Sequence, residues 1–162
     1  MKKPSIKTLK ELKNSEYKSQ TIKDELCKNL SILLKSGKPS FTGIHGYEST
    51  VIPDLERAIL SKHNINFLGL RGQAKTRLAR KMIDLLDEWI PFIKGSEIND
   101  DPLSPISNYG KKILEEKGDS TEIEWLHNSE RFYEKLATPD VTVSDLIGCL
   151  LYTSDAADEL TS

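Results

Sequence analysis

Between Asn64 and Arg80 the chain reads NINFLGLRGQAKTRLAR: a short apolar strand, a glycine-containing turn with one lysine, and an amphipathic helix. No other stretch constrains the fold as tightly. A strand that feeds a turn of inward-pointing N–H groups, backed by a helix N-terminus, is the order a phosphate-binding loop requires. Gly69-Leu70-Arg71-Gly72-Gln73-Ala74-Lys75-Thr76 matches G-x-x-x-x-G-K-[ST] at every fixed position but one, with Ala74 where the second glycine belongs. In such a loop the N–H groups of Arg71 through Thr76 surround the phosphates, Lys75 reaches the β- and γ-phosphates, and the Thr76 hydroxyl holds Mg²⁺. Glycine is favoured where dihedrals are unusual or a phosphate comes close. Ala74 adds one methyl there, so the expectation is weakened or re-shaped binding of ATP and Mg²⁺ rather than none. The competing reading is a strand-to-helix connection that contains Lys-Thr by coincidence.

The elements around the loop predict an α/β domain behind a helical arm. Residues Ser5 to Lys35 carry helical periodicity broken near Asn14 to Ser19, with Ile22, Leu26, Leu30 and Leu33 on one face. Ser36-Gly37-Lys38-Pro39 is a stop signal, which sets an arm over residues 1–39. A turn-rich loop, Phe41 to Glu48, leads to a helix capped by Ser49 or Thr50, with Ile52, Leu55, Ile59 and Leu60 inward and Pro53 in its first turn. The strand Ile65–Leu68 is apolar enough for burial on both faces, as in a parallel sheet. Helix, strand, phosphate loop, helix opens an α/β domain. After the loop, Leu78, Met82, Leu85, Leu86 and Trp89 mark a helix that Pro91 ends, with Phe92-Ile93 as a second strand. Beyond a proline-bearing acidic loop, Gly95 to Pro105, a helix through Ile106, Tyr109, Ile113 and Leu114 and a strand at Thr121–Leu126 are expected. A short helix around Phe132–Leu136 and an extended piece at Val141–Val143 complete the reading.

The end of the chain reads differently. Cys149 to Ser162, CLLYTSDAADELTS, has no lysine or arginine and resembles the translation of a transposon-end sequencing adapter. Residues 149–162 are therefore expected to be non-native, and the 40–148 domain to be truncated at its C-terminus. Without that tail 22 acidic residues face 23 basic ones, and the formal charge moves from −2 to +1. Neither value attracts nucleic acid or a membrane surface in bulk. Only Cys27 then remains, too few cysteines for a disulfide or a cysteine-based metal site. The basic N-terminus has no apolar run behind it, and no stretch reaches the roughly 18 apolar residues of a spanning helix, so the expected compartment is the cytoplasm.

The run from Gly43 to Arg80 also resembles the N-terminal portion of AAA+ ATPases of the magnesium-chelatase and MoxR type. Ile44, Gly46, Tyr47 and Glu48 are similar to that family's I-x-G-x-E loop, which packs near the adenine; Tyr47 stands where glutamine is commoner. Asn99 to Pro105 is similar to the aspartate-proline loop of the chelatase subunits, and Leu136 to Gly148 to a segment further along. The resemblance covers roughly residues 40–148 and departs from the family at Ala74 and in a longer, more charged connection between Pro105 and Leu136. It implies a P-loop NTPase of AAA+ type that works as a homo-oligomeric ring, with chelatase subunits or a client protein as partners and neither membrane nor nucleic acid. The Asp-Glu pair, sensor residues and arginine finger that hydrolysis requires in this family are not found before Gly148. The chain as it stands is thus expected to bind nucleotide and to hydrolyse it poorly or not at all. A non-hydrolysing nucleotide-binding or protein-interaction module is the alternative.

Other candidates carry less. Glu97, Asp100 and Asp101 sit in a proline loop, where acids commonly form turns and cap helices. His45, His63 and His127 are too scattered to read as one ligand set, and Trp89 and Trp125 fit core positions.

Overall fold

The computed structural model describes residues 3–135 and 141–142, and its helices begin mostly where a hydroxyl side chain takes a free N–H. Thr8 accepts from Glu11 N–H ahead of α1 (Leu9–Lys13), and Thr21 from Asp24 N–H ahead of α2 (Ile22–Lys35). Gly37, at φ 69°, follows α2 as the stop signal predicts. Thr50 holds the N-cap position of α3 (Val51–Leu60) but makes no capping bond with its side chain. The Tyr47 carbonyl takes over, accepting from the N–H groups of Thr50 at 3.3 Å and Ile52 at 3.1 Å. α4 (Lys75–Lys81) runs directly into a 3-10 turn, Met82–Leu85. Ser107 caps α5 (Asn108–Lys117) through Gly110 N–H.

β1 (Trp89–Ile93) and β2 (Ile123–His127) pair antiparallel, with Trp89 opposite His127 and Ile93 opposite Ile123. Pro91 is tolerated because successive N–H groups alternate in direction. Ile93 N–H turns away from β2 to Asp100 O (2.9 Å) while Lys94 N–H reaches Glu122 O (3.1 Å), so position 91 also faces away. The other side of β2 is covered by the N-terminal segment. Ile123 N–H donates to Lys7 O at 2.9 Å, and the Trp125 indole to Ile6 O at 2.8 Å.

Two apolar clusters form. The larger joins Leu30 of α2, Phe41, Ile44, Leu55 and Ile59 of α3, and Leu78 of α4. The smaller joins Leu9 and Leu12 of α1 with Ile123. Each fully buried aliphatic side chain contributes about 1.5–3 kcal/mol. The chain divides into two units after Phe132, and every element named here lies in the first. Among the described residues no helix is long and apolar enough to cross a membrane.

Five expectations are corrected. Leu60, expected inward on α3, is 38% exposed as the last residue of that helix. Ile65–Leu68 is not a strand: Ile65 and Phe67 rest on the larger cluster, but Leu68 is 86% exposed, and the segment joins no ladder. A buried parallel strand needs cover on both faces and a neighbour at each edge. The helix after the loop does not reach Trp89, because distant side chains capture its backbone. Asp87 N–H donates to Glu25 Oε1 (2.6 Å), and Leu85 O accepts from Asn29 Nδ2 (2.9 Å). Ile22, expected on the buried face of α2, is 58% exposed as the first residue of that helix. Residues 131–135 form no helix; a 3-10 turn at Asn128–Glu130 precedes them, and Leu136 lies outside the described residues. So do Val143 and the whole tail from Cys149.

Candidate functional site

The glycine loop is anchored at both ends and exposed between. Ile65 and Phe67 hold its entry against the larger cluster, and buried Leu78 holds its exit. Gly72 has φ 81°, and Ala74, at φ 55° and ψ 15°, lies in the left-handed region. This is the conformation that makes glycine the usual residue at such a position, because a Cβ there crowds the following carbonyl. From this turn Ala74 O accepts Leu78 N–H at 2.9 Å and starts α4.

The side chains of the loop fold back on it. Lys75 Nζ donates to Gly69 O at 2.8 Å and also to Leu70 O. Gln73 Oε1 accepts from Leu70 N–H at 2.9 Å. That inward turn depends on Gly69, where an added Cβ would lie 2.2 Å from Gln73 Oε1. Outside the turn a hollow of about 620 Å³ is lined by Arg71 to Thr76 together with Arg77 and Arg80. No carboxylate among the described residues lines it, and the Thr76 hydroxyl is on an exposed residue at its wall. Positive charge from Arg71, Lys75, Arg77 and Arg80 is thus gathered around the hollow.

The Ile44–Glu48 loop lies beside this helix. Its neighbour Gly43 faces α4, and an added Cβ there would meet Arg77 Nη2 at 3.7 Å. Ile44 is buried in the larger cluster with Leu78, and Tyr47 packs against the same cluster, so both position the loop from beneath. Gly46 is exposed at φ 83°. The Glu48 carboxylate folds onto the loop, where N–H groups, its own first and then those of Gly46 and Tyr47, hold its pKa below the ordinary carboxylate value.

The acidic loop is a structural cap. Asp100 is buried; its Oδ1 accepts from Ile106 N–H (2.7 Å) and Ser107 N–H (2.9 Å). Its Oδ2 accepts from the Ser96 hydroxyl (2.7 Å) and the Ser107 hydroxyl. Burial pushes its pKa up, but the Ser107, Ser96 and Ile106 hydrogen bonds outweigh that and hold it at about 2. Asp101 accepts from the Tyr17 hydroxyl (2.9 Å) and Leu103 N–H (2.8 Å). Burial first, and then the Asp101 charge, raise the Tyr17 pKa above its ordinary value. Glu97 is exposed and takes no part in this cap. His127 stands edge-on to Trp89, with ring centres 4.8 Å apart, far along the sequence from His45 and His63.

Sequence reasoning missed two arrangements. One is Gln73 turned inward, which depends on the backbone at Gly69. The other is the bidentate pair of Arg131 with Glu25 (2.7 and 2.5 Å), whose side chains are 8% and 2% exposed. Nothing local to either residue signals a partner so remote in the chain. No protein-family model, curated protein or solved structure matches this chain.

Proposed function

We propose that the chain is a nucleotide-binding domain that takes MgATP at Gly69–Thr76. The observation that carries the reading is the left-handed backbone at Ala74, immediately before Lys75, where the motif calls for glycine. Lys75, Arg71 and Arg77 supply positive charge toward a triphosphate. In this reading the N–H groups from Arg71 to Thr76 receive phosphate oxygens, and Lys75 Nζ leaves the Gly69 and Leu70 carbonyls for the β- and γ-phosphates. The Thr76 hydroxyl binds Mg²⁺, and Gly46 and Tyr47, backed by Ile44, flank the base. Mg²⁺ would offset phosphate charge and fix the geometry of the tail.

The parent protein would be an AAA+ ATPase of magnesium-chelatase or MoxR type, acting in the cytoplasm as a ring upon chelatase subunits or a client protein. For this chain alone, binding without turnover is the better-supported activity, because no carboxylate among the described residues lines the hollow. Hydrolysis needs acidic groups to position Mg²⁺ and water. The test is a thermal-shift titration with MgATP on the chain and on Lys75→Ala. The expected result is a rise in the parent that is lost in the variant. No rise in either removes the nucleotide reading, and steady phosphate release by the chain removes the claim that it binds without turnover.

A further inference from the structure

Along Asn64–Leu68 burial alternates as it does along a strand: Ile65 and Phe67 are half-buried, and Asn64, Asn66 and Leu68 are exposed. Yet the N–H and C=O groups of these residues make no hydrogen bond with any described residue. We propose that this segment pairs with the same segment of a second copy of the chain, antiparallel and across a two-fold axis. The proposal goes beyond the nucleotide reading and does not rest on it, since it uses no residue of the Gly69–Thr76 loop.

A row of unpaired backbone groups at the surface is a template for another strand. Here the row is held in place, because Ile65 and Phe67 rest on the larger apolar cluster. Beside it Ile65, Phe67, Leu26, Met82, Ile83 and Leu86 line a hollow of about 410 Å³, which gives an incoming strand room for the apolar side chains of its inward face. The sequence identifies the occupant. No charged residue lies between Asn64 and Leu70. Antiparallel pairing centred on Asn66 sets Ile65 opposite Phe67 of the second copy and Asn64 opposite its Leu68, while Asn66 meets its own copy on the axis. Carried further, the same register sets Lys62 towards Leu70 and Arg71 towards Ser61, so no two cations meet. The segment is thus complementary to itself in charge and in side-chain alternation, and an isologous contact of this kind closes after two copies. So short a contact is at the small end of protein interfaces, which makes the dimer weak and concentration-dependent.

The experiment is sedimentation velocity of the 162-residue chain over a concentration series, beside Asn66→Lys, Asn66→Asp and an equal mixture of the two variants, each checked by circular dichroism. Asn66 is exposed, so either charge is expected to leave the monomer folded. The expected result is a monomer–dimer equilibrium in the parent. Each variant alone places like charges on the axis and should weaken it about ten-fold or more, and the mixture, which places opposite charges there, should restore it. If one variant fails to fold, the other decides through added salt, which screens like charges and should bring its dimer back. A parent that stays monomeric at every concentration overturns the proposal. So does a dimer that either folded variant leaves intact, and so does a loss that neither mixing nor salt reverses. None of these outcomes alters the MgATP titration, which is read separately.

Discussion

Replacing Ala74 by glycine isolates the energetic signature of the loop. An L-residue in the left-handed region costs about 1–2 kcal/mol, and Ala74 sits there at φ 55° and ψ 15°. Glycine removes that cost but adds unfolded-chain entropy of about 0.4–1 kcal/mol. Deleting a half-buried methyl forfeits about 0.4 kcal/mol more, half the value for a buried CH₂. The balance is a gain of about 0.5 kcal/mol, or about 1–2 °C in Tm for a chain of this length. Ala79, five residues on and inside α4, provides the contrast, since glycine in a helix interior costs about 1 kcal/mol. The two Ala→Gly variants should therefore move urea midpoints in opposite directions at unchanged m-value, by a span of about 1.5 kcal/mol. If Ala74→Gly destabilises as much as Ala79→Gly, residue 74 does not hold the left-handed conformation, and the argument from the missing glycine fails. Where the argument holds, Ala74→Gly also binds MgATP a few-fold more tightly in the calorimeter.

Two further predictions concern the frame. Arg131→Ala leaves Glu25 buried without its partner and should cost about 3–5 kcal/mol, read from urea unfolding; joint replacement by Glu25→Gln and Arg131→Met should recover most of it, and a double variant as unstable as the single one contradicts the pair's role. Asp100 has a folded pKa of about 2 against an ordinary 3.8, so its stabilisation is complete above about pH 4 and is lost as the pH falls towards 2. The loss amounts to about 2 kcal/mol, and Asp100→Asn should remove that part of the acid dependence of the urea midpoint. Parallel pH curves for parent and variant refute the assignment.

What was legible in the sequence is what neighbours in the chain decide. The end of α2 follows from Gly37 and the strand at Ile123 from its own alternation, whereas the helix expected from Ile106 starts only at Asn108, behind its Ser107 cap, and leaves Ile106 exposed. The glycine loop was legible as a motif, because the requirement for positive φ before Lys75 is local. The end of α4 was not, because Glu25 and Asn29 stop it from across the fold. The apparent strand at Ile65–Leu68 misled for a related reason: apolar residues announce burial, but a strand also needs a partner, which no four-residue run encodes. Gln73 lay inside the motif, yet only the backbone of Gly69 reveals that its side chain turns inward.

The Glu25–Arg131 pair also sets a timetable for synthesis. The two residues are 106 positions apart, and at about 5–20 residues per second a ribosome needs about 5–20 s to pass from one to the other. Until Arg131 has been made and can reach it, the Glu25 carboxylate lacks the partner that offsets its burial. Native packing around this residue of α2 therefore depends on a side chain synthesised much later.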